Sequence, residues 1–398
     1  MRLVHLADLH LGYRQYQRVT ARGINQREFD VSQSFKQAVD KVIEVAPDAV
    51  VIAGDVFHQV RPTNTAIVFA YQQFARLRQA LPDTVVVVIA GNHDTPRSLE
   101  LVCILRLFAS LGVHVVDSAA DAVEFPELQL SVLAVPSSAF DSTRLEPAGS
   151  QRYNVLLTHG SVEGELGKYA APSGAPRQEI PFRALNHDAW DYVALGHHHV
   201  YNPIAPNVVY SGAIDYTSSN TWGERYEETQ ARWGGKCIVE FDFDTGTHIP
   251  HWLEPSRQFV DLPVVLARGR TAEEVNALIA KAVDACPGGI DDKVVRLVVQ
   301  DIPRHVARQV DHRQLRDYRR RALHFHLDTR RPEIIRSIGQ GAPGRRASLE
   351  DLVRDKLRER VVPSDVNREA LVELGVQYLK DATDKEGVAP MSALGAEG

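Results

Sequence analysis

Short unbroken apolar runs punctuate the first half of the chain, and a polar cluster follows each. Val4-His5-Leu6-Ala7, Ala49 to Ala53, Val85 to Ala90, Val155 to Thr158 and Tyr192 to Leu195 read as strands buried on both faces. Amphipathic stretches lie between them. Val31 to Val45 sets Phe35, Val39, Val42 and Ile43 on one helical face, and Thr63 to Leu81 predicts a second helix. Ser98 to Leu111 predicts a third, apolar almost all round, which is either sandwiched in the fold or set at an oligomer interface; the interface is preferred, with Leu101, Leu105 and Phe108 as the stripe of a homodimer. Strand alternating with helix predicts right-handed β-α-β units in an α/β fold. Val113 to Val116 and Leu130 to Val135 add strands. Asn207 to Tyr210, Cys237 to Phe243 and His248 to Leu253 read as the second sheet of a two-layer β core.

Polar stretches organise the rest. Leu11 to Asp30 reads as a surface loop that offers Arg14, Arg18, Arg22 and Arg27 to phosphates, and the Gly- and Pro-rich Gly160 to Pro181 as a functional or mobile loop. Beyond about Val264 a smaller α/β module begins, with a helix at Ala272 to Ala285 and a strand at Lys293 to Val299. Leu349 to Val361 and Asp365 to Ala382 then predict a helix pair split by Pro363, with Ser364 as N-cap. These patterns divide the chain into a main domain at 1–260, a cap at 261–335, a helical segment at 347–382 and a disordered tail at 383–398.

Charge changes this picture in one place. The net charge of −6 does not announce a nucleic-acid binder, yet Pro303 to Arg346 holds 12 Arg against 4 acidic residues. That segment, with Arg319, Arg320 and Arg321 at its centre, is a candidate phosphate-binding surface, as is Arg14 nearer the N-terminus. Cys103, Cys237 and Cys286 are scattered and odd in number, which points to a reducing compartment and against a thiolate metal site. No run approaches the ~18 apolar residues of a membrane helix, and no signal-peptide pattern precedes the first strand, so a cytoplasmic location without membrane contact is expected.

The chemistry sits where the strands end. Asp8-x-His10, Gly54-Asp55, Gly91-Asn92-His93-Asp94, His159 and Gly196-His197-His198-His199 each follow an apolar run, at the edge where α/β sheets keep their ligand sites. Asp8, His10, Asp55, Asn92, His159, His197 and His199 are seven oxygen and nitrogen ligands, too many for one tetrahedral ion. They suit two divalent ions bridged by one carboxylate, of the manganese, iron or zinc kind, able to clamp a phosphate and activate water.

These motifs resemble the calcineurin-type metallophosphoesterase signature. DLHLGY at 8 to 13, GDVFH at 54 to 58, GNHDTP at 91 to 96 and GHHH at 196 to 199 are similar to the SbcD-type double-strand-break repair nucleases. The resemblance is strongest over residues 1 to about 225. It implies a two-sheet α/β/β/α sandwich with a smaller α/β cap and C-terminal helices. It implies one ion on Asp8, His10, Asp55 and His199, and another on Asp55, Asn92, His159 and His197. His93 would protonate the leaving oxygen and His58 would position phosphate; His198 receives no role. Ser211-Gly212-Ala213 departs from the Pro-Gly-Ser common among relatives. The implied activity is a manganese-dependent DNA nuclease. It would be a 3'-5' exonuclease on duplex ends and an endonuclease on single strands and hairpins, partnered by an SbcC-type SMC-like ATPase at the nucleoid. Two other readings stay open: a general metallophosphoesterase for small phosphodiesters or phosphoproteins, and an inactive DNA-end-binding scaffold.

Overall fold

β1 (Arg2–Leu6) pairs in parallel with β2 (Ala49–Ile52), and the helix α1 (Gln26–Val45) supplies the crossover that a parallel pair needs. The computed structural model describes residues 1–96, 102–147, 149–164, 179–332, 349–360 and 367–386. α1 starts earlier than its apolar stripe: the Asn25 side chain accepts from the Arg27 and Glu28 amides and caps it inside the stretch that reads as loop. α2 (Asn64–Ala80), capped by Thr63, leads to β3 (Val85–Ile89) and β4 (His114–Val116), which continue the parallel array. β5 (Asp121–Phe125), β6 (Leu130–Val135) and β7 (Tyr153–His159) begin a second sheet. A small ladder, β8 (Ser161–Val162) with β9 (Glu179–Ile180), stands beside it. β10 (Tyr192–Gly196), β11 (Asn202–Ala205) and β12 (Val208–Tyr210) complete the second sheet in the order β11-β12-β10-β7-β6-β5. After α3 (Thr221–Ala231), β13 (Cys237–Asp242) and β14 (Thr247–Trp252) return to the first sheet, where β13 runs antiparallel to β1.

The last pairing corrects the sequence reading, which placed Cys237 to Phe243 and His248 to Leu253 in the second sheet. The first sheet has the order β14-β13-β1-β2-β3-β4. An alternating strand pattern shows which faces are buried, but not which neighbour supplies the hydrogen bonds.

Two apolar layers follow from the alternation. Leu3, Val51, Val87 and Ile89 of the first sheet pack against Val132, Val155, Leu157 and Ala194 of the second. On the other face of the first sheet, Val4, Leu6, Val50 and Val88 meet Phe35 and Val39 of α1 and Phe74 of α2. The outer face of the second sheet is covered by short 3-10 turns and loops, with Leu185 and Trp190 over Leu156 and Val193. This is the mixed α/β two-sheet sandwich expected.

A second correction concerns Ser98 to Leu111. Residues 97–101, including Leu101, lie outside the described residues. Ile104–Leu111 is a 3-10 helix, and Leu105 and Phe108 are fully buried in the chain's own core. Phe108 packs 4.4 Å from the Phe74 ring. Leu105 and Phe108 are turned inward, so these two cannot form an interface between copies. Apolarity on a helix face predicts that something covers it, not what does.

β15 (Phe259–Asp261), β16 (Val265–Leu266), β17 (Val294–Gln300) and β18 (His324–Thr329) form a small parallel sheet centred on β17. α4 (Ala272–Asp284), α5 (Arg304–Ala307) and α6 (His312–Arg321) cover it, and the core includes Val275, Ile279, Val306 and Leu315. α4 opens with a full capping box between Thr271 and Glu274. This module belongs with the sandwich to one compact unit, 1–332, and 333–398 form a second. The join is made by Phe259 against Tyr216 and Trp222, Arg296 over the Trp222 ring, and Arg18 paired with Asp292.

In the second unit, α7 (Leu349–Glu359) packs on α8 (Arg368–Glu386), where Gly375 lies against Leu357. Residues 383–386, read as the start of a tail, are helical; 387–398, the 339–346 linker, Pro363 and Ser364 lie outside the described residues. No helix among the described residues is long and apolar enough to cross a membrane.

Candidate metal centre

The strands of both sheets deliver their terminal side chains to one place. β1, β2 and β3 of the first sheet and β7 and β10 of the second end there, so the site lies where two sheet edges meet rather than along one edge. Beyond the strands the chain stays tied. The Asp8 amide donates to the Gly54 carbonyl at 3.0 Å, the His10 amide to Asp55 O at 2.9 Å and the Leu11 amide to Val56 O at 2.9 Å. Asp8, His10, Asp55 and His197 take φ values of 52°, 45°, 52° and 102°. Such backbone costs about 1–3 kcal/mol per residue and persists only where its surroundings over-determine it.

Part of that determination comes from Asp94. Its buried carboxylate accepts from the Val56, Phe57 and Gly91 amides at 3.0, 2.9 and 3.1 Å, joining the turn after β2 to the turn after β3. Burial, and then the charge of Asp55, push Asp94 up to about 7. The glycines of two motifs allow the close approach. A Cβ on Gly91 would collide with the Asp55 carboxylate, and one on Gly196 with the Ala53 carbonyl.

All seven expected ligands are brought together, in two overlapping sets around Asp55. In the first, His10 Nε2 lies 3.1 Å from His199 Nε2, 3.8 Å from Asp55 Oδ2 and 4.0 Å from Asp8 Oδ1. In the second, His159 Nε2 lies 3.5 Å from Asp55 Oδ2 and 3.0 Å from Asn92 Oδ1, and His197 Nδ1 is 3.1 Å from the same amide oxygen. Asp55 Oδ2 faces both sets, while Oδ1 accepts from the His93 amide at 2.8 Å.

The proton positions test whether cations fit. His159 Nδ1 donates to the Ala53 carbonyl at 2.7 Å, so the neutral ring aims its Nε2 lone pair at two oxygen acceptors. In the first set, two imidazole nitrogens face each other and Asp8 Oδ1 has no hydrogen-bond donor. Converging lone pairs of this kind require a positive charge between them. Without an ion, protons supply it. Burial opposes a charge on His159, yet Asp55 and Asp8 push its imidazole up to about 9. Burial would likewise raise Asp55, but His159 and His10 hold its carboxylate well below the usual range. The donors are carboxylate, amide and imidazole, and the three cysteines are buried and free, so the set fits divalent ions of the manganese, iron or zinc kind.

His93 and His58 stand at the rim. His93 Nδ1 donates to the His58 carbonyl at 2.7 Å, which leaves its Nε2 open, and its ring lies 4.9 Å from that of His10. Burial, with His93 beside it, lowers His58 to about 4, so it is neutral at neutral pH. His198 turns away to Glu227, at 3.7 Å.

The expected phosphate-binding arginines fare differently. Arg14 is bound to the buried Glu28 at 2.6 Å. Arg27, read as a surface residue, is fully buried between Asp30 and Asp215 and cannot reach a phosphate; its position in a polar stretch concealed this. Arg320 pairs with Asp317 and Arg321 with Asp291, while Arg319 lines an open cleft with Tyr16, Gln17, Arg18 and His324. Sequence reasoning missed Glu224 and Lys236, which back His199. His199 Nδ1 faces Glu224 Oε1 at 3.5 Å. Despite burial, Lys236 and His199 hold the Glu224 carboxylate at about 2. A Glu within an acidic helix gives no local sign of such a role.

The fold and site together define a metal-dependent hydrolase. The chain belongs to the calcineurin-like phosphoesterase family, whose model matches residues 1–201. It is also similar to curated proteins named DNA double-strand break repair protein Mre11. That of Methanocaldococcus jannaschii is 41% identical over 99 residues, 25% of each chain. That of Methanococcus maripaludis is 40% identical over 265 residues, 62% of this chain and 65% of the relative. That of Sulfurisphaera tokodaii is 25% identical over 291 residues, 70% and 69% of the two. The chain thus spans from a quarter to about two thirds of the length of these relatives.

Proposed function

We propose that this protein is a manganese-dependent DNA nuclease that hydrolyses phosphodiesters in break repair. The observation that carries this is the pair of donor sets sharing Asp55 Oδ2, with the open Nε2 of His93 beside them. The repair-nuclease relatives favour DNA over a small phosphodiester, because the match to one of them spans 70% of the chain, more than the phosphoesterase domain alone.

Asp8, His10, Asp55 and His199 would hold one ion, and Asp55, Asn92, His159 and His197 the other. When bound, such a pair supplies an acidified water and a clamp for the phosphate oxygens. The protein's own part is orientation and proton transfer. His159 is fixed by Ala53, and Asp55 by the His93 amide. His93, oriented by the His58 carbonyl, hands a proton to the leaving oxygen as general acid. His58 positions the phosphate as a neutral ring. Arg14 and the Arg319–Arg321 segment steer the backbone of duplex ends, hairpins and single strands.

The working assembly we propose is a homodimer bound to an SbcC-type ATPase, cytoplasmic and at the nucleoid. Val68, Val102 and Leu107 are exposed around α2 and the 104–111 turn and would carry the dimer contact. Leu352, Leu374 and Tyr378 are exposed on α7 and α8 and would meet the ATPase. Digestion of end-labelled duplex and hairpin DNA tests the activity, and 3'-5' shortening plus hairpin opening with manganese is expected. Hydrolysis of nitrophenyl phosphodiesters with DNA left intact would overturn the nuclease reading.

His93→Ala should keep ion and DNA binding yet lose cleavage by about 10²–10⁴-fold. A drop in ion content in this variant would make His93 a ligand instead.

Ion binding should depend on pH with a fixed sign. In the ion-free protein His159 keeps a proton up to about pH 9, and a cation at Nε2 displaces it. Apparent affinity therefore rises with pH and flattens above about 9, with proton release on binding. Calorimetry in buffers of different ionisation enthalpy reads this release; affinity unchanged between about pH 6 and about pH 8 would contradict it.

A further inference from the structure

Behind His199 lies a buried charge network that the catalytic reading leaves unused. α3 places Glu224 and Glu228 one turn apart on the same face, both buried. Like charges at this spacing repel, so a third group must hold them. That group is Lys236, itself buried, whose Nζ contacts Glu224 Oε2 at 2.5 Å and Glu228 Oε1 at 3.2 Å. Lys236 also donates to the backbone carbonyl of His199 at 2.8 Å. The same ammonium thus grips the main chain of His199 and the carboxylate that faces its ring. Glu224 Oε1 and His199 Nδ1, 3.5 Å apart, are both buried and otherwise without a hydrogen-bond partner among the described residues.

We propose that Glu224 is a positioning residue for His199: it takes the Nδ1–H, fixes the tautomer and aims Nε2 at Asp8 and His10. Lys236 keeps Glu224 in place; Glu228 only shares the Lys236 ammonium, which Glu224 and the His199 carbonyl continue to hold without it. The inference rests on His199 being an ion ligand. A carboxylate behind a ligating imidazole orients it and makes it a stronger donor, and loss of such a partner weakens ion affinity about 10–100-fold. A buried salt bridge kept only for stability would not need His199 at all. Glu228 separates the two roles. It touches Lys236 and accepts from the Tyr216 hydroxyl, but no contact joins it to His199.

The test is manganese titration of full-length wild type, Glu224→Gln and Glu228→Gln by calorimetry, with folding followed by circular dichroism. Glu224→Gln is expected to weaken one of the two binding events about 10–100-fold, and Glu228→Gln to leave both within about twofold. Equal affinities in wild type and Glu224→Gln, or equal losses in both variants, would overturn the role of Glu224. Wild type that takes up no manganese would instead overturn the ion site itself. Should Glu224→Gln not fold, nitrogen-15 histidine spectra of zinc-loaded wild type decide. His199 protonated on Nδ1 supports the proposal, and His199 protonated on Nε2 ends it.

Discussion

Asp55→Asn is expected to abolish phosphodiester cleavage and to weaken ion binding at both donor sets. Asp55 is buried, and its Oδ2 lies within 4 Å of both His10 Nε2 (3.8 Å) and His159 Nε2 (3.5 Å). Its Oδ1 is committed to the His93 amide at 2.8 Å. An amide in its place keeps the shape but must choose. With its oxygen on the His93 amide, the NH₂ points into both donor sets, where a donor repels a cation. Turned the other way, it sets NH₂ against an N–H. Either choice also removes the negative charge that balances the cations. The loss should exceed the about 10–100-fold seen when only a supporting residue behind a ligand is removed. Elemental analysis with a cleavage assay checks it; two ions per chain and turnover near wild type would end Asp55's claim to bridge.

Arg27→Met should be the most damaging change to stability away from the site. The guanidinium lies 3.1 Å from Asp30 and 2.7 Å from Asp215, donates to the Tyr216 carbonyl at 3.0 Å and rests 5.0 Å over the Phe259 ring. It therefore ties α1, the 215–216 turn and the first strand of the cap module together. Asp30 would retain Arg257, but Asp215 would keep only the Ser34 hydroxyl and the Tyr216 amide. A buried carboxylate stripped of its cation costs about 3–5 kcal/mol. The double variant Arg27→Met, Asp215→Asn should recover part of this, since it removes the stranded charge as well. Denaturant midpoints for the two variants and wild type measure both effects; an unchanged midpoint for Arg27→Met would show that the cluster contributes no net stability.

The sequence by itself determined the strands that end at the site. A strand buried on both faces must be an apolar run, and Asp8, Asp55, Asn92, His159 and His197 each stand directly after one, so position and chemistry were readable together. The helices beginning near Thr63 and Ala272 were legible for a similar reason, because a helical pattern is set within a few turns of chain. What only the tertiary structure decided is every pairing across distance. β13 and β14 joined the first sheet, although their alternation suited either sheet. Leu105 and Phe108 turned into the core against Phe74, where an apolar stripe alone could as well have met a second copy. Arg27, set among polar residues, became a buried tie, and Glu224 and Lys236 met behind His199 from separate stretches of chain. Periodicity and capping are properties of neighbouring residues, whereas the partner of a buried face or a buried charge is chosen by the packing of the whole chain.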